Sequence, residues 1–296
     1  MRSPSNPTCT RTKVGRGTDA APRGFTIVEL LTTIGAIVLL IAIVIHAATA
    51  GRTAAERATE MAAARTLGIA WTAYASDHRG AILPGYAEGF RARNAEGEWI
   101  DTQTVPIAAR RWPLRLAPYL GRDFASFYSG PDADRLAELA DTPSDEALYA
   151  ISAYPSFGLN SVFVGGDENH GGFNPIFEQT FGRFYATRLS TVRHPDRLTV
   201  FATSRTDEAA PGTTGEIREG FFRVLPPSWA SPLWADVYDP DDPASAGFLS
   251  PRHAQHGDDV AITTTVDGAV STATIEELRD MRRWSDQATS EDWRME

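Results

Sequence analysis

The sequence predicts an α+β fold, with one long N-terminal helix packed on an antiparallel β-sheet. Two patterns and one turn predict it. Residues 26–78 contain no proline and read as one helix, first apolar on all sides and then striped. From residue 81 onward glycine and proline punctuate short apolar runs of strand length. Near the C-terminus Asp267-Gly268 sits between two β-rich runs, a strong hairpin signal. A helix followed by antiparallel strands is stable when its apolar stripe covers one sheet face.

The chain is expected to divide into a leader (1–24), the helix (25–80) and a globular domain (81–296). The leader carries Arg2, Arg11, Lys13, Arg16 and Arg23 against Asp19 and has no apolar core of its own. An ordinary secretory signal places its cleavage site after the apolar core. Here the core follows Gly24 and runs from Ile27 to Ile45, with Glu29 its only charge. As a helix, Phe25 to Ala50 spans about 39 Å, enough to cross the roughly 30 Å of hydrocarbon in a bilayer. The basic leader favours a cytoplasmic N-terminus, with residues from about 46 onward outside. A carboxylate near mid-bilayer costs about 2.5–3.5 kcal/mol, so a plain anchor would not be expected to carry Glu29. Thr26-x-x-Glu29 also has the spacing of a capping box for the helix start.

The helical pattern continues past the apolar core. Alanine is abundant from Ala47 to His78, which favours helix. Met61, Ala64, Leu67, Trp71, Tyr74 and His78 recur at steps of three or four, the spacing of one core-facing stripe. Arg52–Glu56 and Arg57–Glu60 have the spacing of helix-surface pairs. Gly80 is the expected C-cap, with Pro84 beyond it.

Strands are expected at 161–164, 197–203, 220–225, 259–265 and 269–272, the last two joined through Val266-Asp267-Gly268. Short helices are expected at 112–120, 132–140 and 274–285. The Gly-rich run Gly165 to Gly172 lacks the Gly-Lys-Ser/Thr ending of a phosphate loop and reads as a flexible loop.

The chain has 296 residues and a net charge of −10. The leader holds five of the 28 basic residues and one of the 38 acidic ones, so the remainder carries −14. That balance argues against a nucleic-acid partner, which needs a basic stripe. The one cysteine is Cys9, in the leader. The part after Gly24 therefore has no disulfide and relies on core burial.

The run Arg23-Gly24-Phe25-Thr26-Ile27-Val28-Glu29-Leu30-Leu31, behind a basic leader and opening an apolar helix, resembles the processing site of type IV prepilins and type II secretion pseudopilins. The resemblance implies a pilin-like fold and cleavage between Gly24 and Phe25 by a prepilin peptidase. It also implies N-methylation of Phe25 and pairing of Glu29 with the Phe25 amine of a neighbouring subunit. The implied partners are that peptidase, other pilin or pseudopilin subunits, an inner-membrane assembly platform and the inner membrane itself. The fibre would stand in the periplasm or at the cell surface. The chain would be a substrate and building block, not an enzyme. One bacterial branch of these proteins carries a C-terminal His-x9-Asp-Gly signature. His256 … Asp267-Gly268 is similar to it with one residue more, and His253 lies further upstream. Tyr154-Pro155-Ser156-Phe157-Gly158-Leu159-Asn160 and the helix end Ala73 to Pro84 also look like that branch.

A rival reading is a membrane-anchored periplasmic binding or hydrolytic protein that uses residues 25–50 only as an anchor. No Gly-x-Ser-x-Gly elbow is present. His253 and His256 lack the helical His-Glu-x-x-His pattern of zinc proteases and read as part of a polar loop before a strand. Asp236, Asp239, Asp241 and Asp242 cluster in a Pro-bounded turn. Carboxylates on a loop suit calcium, and major pseudopilins carry a calcium-stabilised loop, so this turn is a candidate structural calcium site; no other cofactor is expected, and none at all if the turn is not a calcium site. The competing reading is a solvated acidic turn.

Overall fold

In a computed structural model, residues 24–92, 99, 106–121, 127–128, 144–208, 215–255 and 257–296 are described. The chain forms two compact units, 1–50 and 51–296. The second unit takes in the second half of the long helix α1 (Ile27–Asp77). Residues 24–50 of the first unit are exposed throughout.

The expected α+β architecture is present. Helix α1 ends where glycine was expected to end it. Arg79 and Gly80 take φ of 57° and 81°, and the Gly80 N–H donates to the Ala75 carbonyl at 2.7 Å. Ala64, Leu67, Trp71 and Tyr74 of the expected stripe are buried. Gly68 is buried with them, and a β-carbon there would sit 3.0 Å from Thr264 Cγ2. Small residues at 64 and 68 thus let the helix backbone approach the sheet.

The strands are β1 (Phe157–Leu159), β2 (Thr199–Thr203), β3 (Arg205–Thr206), β4 (Arg218–Glu219), β5 (His253–Gln255), β6 (Asp258–Thr265) and β7 (Val270–Thr274). All their pairings are antiparallel. β6 is the hub. Val260 pairs with both His253 and Thr274, and Thr264 with both Phe201 and Val270. β7 therefore runs along one edge of β6, while β5 and β2 share the other. The Asp267-Gly268 hairpin forms as expected, with Gly268 at φ 84° and Asp267 Oδ1 accepting the Ala269 N–H at 3.1 Å.

The sheet is buried on both faces, one more than expected. Phe201 and Ile262 join the α1 side of the core, with Leu67, Trp71 and Trp112. Their neighbours Ala202 and Ala261 point the other way, toward Val162, Phe163, Trp234, Leu278 and Trp284. Two-sided burial explains why β2 is buried at every position instead of alternating.

Two expected strands are corrected. Residues 161–164 form a turn closed by the Val164 N–H to the Asn160 carbonyl at 2.9 Å. Residues 220–225 run beside β1 with one bridge, between Leu159 and Arg223. Both runs are apolar because they line the core, a pattern that periodicity cannot separate from a short buried strand. Gly158 permits the close approach, since a β-carbon there would lie 2.5 Å from the Arg223 carbonyl carbon. The helix expected at 112–120 is an α-turn, Pro113–Leu116, followed by a 3-10 turn, Ala117–Leu120. The one expected at 274–285 breaks after Ile275–Leu278 and resumes as a 3-10 turn at Met281–Arg283. The segment 132–140 lies outside the described residues. Helices at Pro106–Arg110, Asp145–Ala153 and Pro175–Phe181, and the short strand β1, were not anticipated.

Candidate functional site

The N-terminal motif sits on exposed, non-helical backbone that turns into α1. Residues 24–26 precede the helix, and Phe25 is 76% exposed. Thr26 and Glu29 make the full capping box. The Thr26 hydroxyl accepts the Glu29 N–H at 3.2 Å, while Glu29 Oε2 accepts the Thr26 N–H at 2.9 Å and its hydroxyl at 2.8 Å. The carboxylate is thus satisfied within its own chain. Gly24 is different. Among the described residues a β-carbon there would meet nothing within 4 Å, and its φ is not in the left-handed region. The described part of the fold makes no demand for glycine at this position.

Beyond the cap, Ile34, Val38, Leu39, Leu40, Ile41 and Ile45 are each at least half exposed. The apolar window of α1 has a mean hydropathy of 2.7 and is 0% buried. Among the described residues α1 is the one helix long and apolar enough to cross a membrane. Its hydroxyls are satisfied internally: Thr32 and Thr33 donate to the Glu29 carbonyl at 3.0 and 2.9 Å. In hydrocarbon, internal bonding of this kind is required of polar groups.

No family model, curated protein or solved structure matches the chain.

Among the described residues, the signature-like segments are spread over different parts of the sheet. His253 lies in β5, while Asp267-Gly268 closes the hairpin beyond the opposite end of β6. His256 lies outside the described residues. Asn160, fully buried, donates to the Thr199 and Trp284 carbonyls at 3.0 and 2.8 Å and so ties β2 to the C-terminal segment.

Two buried carboxylates were missed. Glu60, 3% exposed, turns inward from α1 instead of pairing on the helix surface with Arg57. Its Oε2 accepts from His253 Nε2 at 2.7 Å, and its Oε1 is 3.0 Å from an Arg252 terminal nitrogen. Arg252 also bonds Glu219, which accepts the Ser250 hydroxyl at 2.6 Å. Burial pushes the Glu60 carboxyl up, but hydrogen bonds and charge from His253 and Arg252 outweigh it and hold it below its ordinary value. A charge one turn before Ala64, in register with the apolar stripe, was the available signal.

The second is Asp167, in the Gly-rich run. This run packs into the core instead of hanging open: Asp167 is fully buried, and a β-carbon on Gly165 (φ 82°) would strike the Leu83 carbonyl oxygen. Asp167 accepts the Ser161 hydroxyl at 2.8 Å and the Asn169 N–H at 2.9 Å, with His170 Nδ1 at 3.5 Å and Arg223 at 3.8 Å. Burial raises its carboxyl, and His170, Arg223 and Ser161 together bring it below its ordinary value. Ser161 faces the carboxylate and is itself fully buried, which suits a structural knot.

The acidic turn at 236–242 uses its carboxylates as caps. Asp239 Oδ1 accepts the Asp241 N–H, and Asp242 Oδ1 the Ala244 N–H, both at 2.9 Å. The Asp236 carbonyl accepts from Arg279 at 3.1 Å. Among the described residues no three His, Cys, Asp or Glu side chains converge as a metal group.

Proposed function

We propose that this chain is a prepilin-like subunit, processed between Gly24 and Phe25 and assembled through its N-terminal helix into a type II secretion pseudopilus or a related fibre. The observation that carries the reading is Gly24. It occupies an exposed, non-helical junction where the described part of its own fold tolerates a side chain, so a requirement for glycine there would come from an enzyme that grips the backbone closely. The basic leader before it and the exposed apolar segment of α1 after it support the same reading. Helix α1 would hold the subunit in the inner membrane, N-terminus inside, and then enter the fibre core.

The deciding measurement is mass spectrometry of the N-terminal peptide, with and without a co-expressed prepilin peptidase. A peptide beginning at N-methylated Phe25 is expected only with the peptidase, and Gly24→Ala should abolish it. An intact leader under both conditions would overturn the processing assignment.

Glu29 has two separable roles. Its capping box contributes about 1 kcal/mol to the helix start. After cleavage the new Phe25 amine is a cation, and an unpaired charge in a low-dielectric fibre core is costly. Glu29→Ala is therefore expected to leave processing and membrane insertion intact and to reduce recovered fibres at least tenfold. Wild-type fibre yield from Glu29→Ala would favour the plain-anchor reading.

A further inference from the structure

A cleft of about 460 Å³ opens beside the β6–β7 hairpin, away from the processing motif in sequence. Arg197, Arg282 and Arg283 line it, together with Asp196 and Asp280. Thr265 and Ser271 add hydroxyls from the sheet edge. The chain as a whole is strongly acidic, so a cleft with more cations than carboxylates runs against its general charge.

The three cations are not equally committed. Arg282 is spent: it grips Asp280 through Nε and a terminal nitrogen at 2.8–3.0 Å and also reaches Glu291 at 2.8 Å. That grip neutralises Asp280. The Arg283 backbone N–H donates to the Asp280 carbonyl at 3.0 Å, but its side chain makes no hydrogen bond or ion pair among the described residues. Arg197 holds the Ala288 carbonyl weakly, at 3.4 Å, and its Nε is buried with no hydrogen-bond partner. Asp196, the remaining carboxylate, is exposed at the rim. Two arginines with unused planar donors therefore line a cleft of ligand size, while the Thr265 hydroxyl is committed to Asp267 Oδ1 at 2.5 Å and Ser271 Oγ lies 3.1 Å from Thr263 Oγ1.

We propose that this cleft binds a small oxyanion, a phosphate or carboxylate group, held between Arg197 and Arg283. Guanidinium forks match the paired oxygens of both groups. The site makes no use of Gly24, Phe25 or Glu29, and its test is independent of whether the chain is processed.

The test uses the full-length chain in detergent. Isothermal titration with inorganic phosphate and, separately, with malonate should show saturable binding with at least one of them, above a chloride control of equal ionic strength. Binding of phosphate alone assigns a phosphoryl ligand, and binding of malonate alone a carboxylate. Arg283→Gln should weaken that binding about tenfold or more while melting like the wild type in chloride, because the Arg283 side chain ties nothing together among the described residues. Arg197→Gln should weaken it as well. No saturable binding to either anion, or affinity unchanged in both variants, would overturn the proposal.

Discussion

Glu60→Ala is expected to destabilise the globular unit by about 3–5 kcal/mol, the cost of removing one partner from a buried ion pair. The reason is what it strands. His253 is 8% exposed, and Arg252 has lost most of its access to water. Without Glu60, Arg252 keeps Glu219, but His253 loses its carboxylate and the guanidinium loses one of its two. For a unit of this size such a loss lowers the melting temperature by on the order of 10 °C. Glu60→Gln, which keeps the shape and an acceptor, should cost less. The pH dependence follows from the depressed carboxyl. The folded state holds Glu60 ionised below its ordinary value of 4.5, so above that value its contribution is complete. As pH falls from 4.5 through the lowered folded value the unfolded chain binds a proton that the folded chain does not, and the contribution is lost. Urea titrations of wild type and Glu60→Gln should therefore differ at neutral pH and converge in strong acid. A constant difference across that range would rule out Glu60 as the titrating group.

Trp71→Ala is expected to cost about 3–5 kcal/mol, the range for truncating a fully buried tryptophan. Trp71 is 1% exposed and sits in the core between α1 and the sheet. Its Nε1 is buried without a hydrogen-bond partner, so the loss is one of packing, and Trp71→Phe should recover part of it. Ile69, two residues earlier on the same helix, is 65% exposed, and Ile69→Ala should change stability by under about 0.5 kcal/mol. Chemical denaturation of the three variants separates the faces of the helix. Equal losses at 69 and 71 would mean that the buried stripe has been misplaced.

The long helix and the β6–β7 hairpin were legible because both are local. A proline-free run with a 3.6-residue stripe needs no distant partner to be recognised, and neither does Asp-Gly between β-rich segments. The short apolar runs 161–164 and 220–225 were misread for the opposite reason. Their burial comes from neighbours far along the chain, and a buried turn and a buried strand share one pattern. The charge clusters were illegible in the same way. Glu60 meets Arg252 and His253 across some 190 residues, and a glutamate in a helix is read by default as solvated.

What the sequence by itself determined is the N-terminal helix. The Thr26–Glu29 cap and the apolar run are contiguous, so the helix start and its membrane-length apolar stretch follow from order and spacing alone. Only the tertiary structure decided that Gly24 is free of the described part of its own fold, that the sheet is buried on both faces, that Glu60 and Asp167 are internal, and that Arg197 and Arg283 share a cleft. Each of these depends on which distant segments meet, and that is set by long-range burial, which local spacing does not encode.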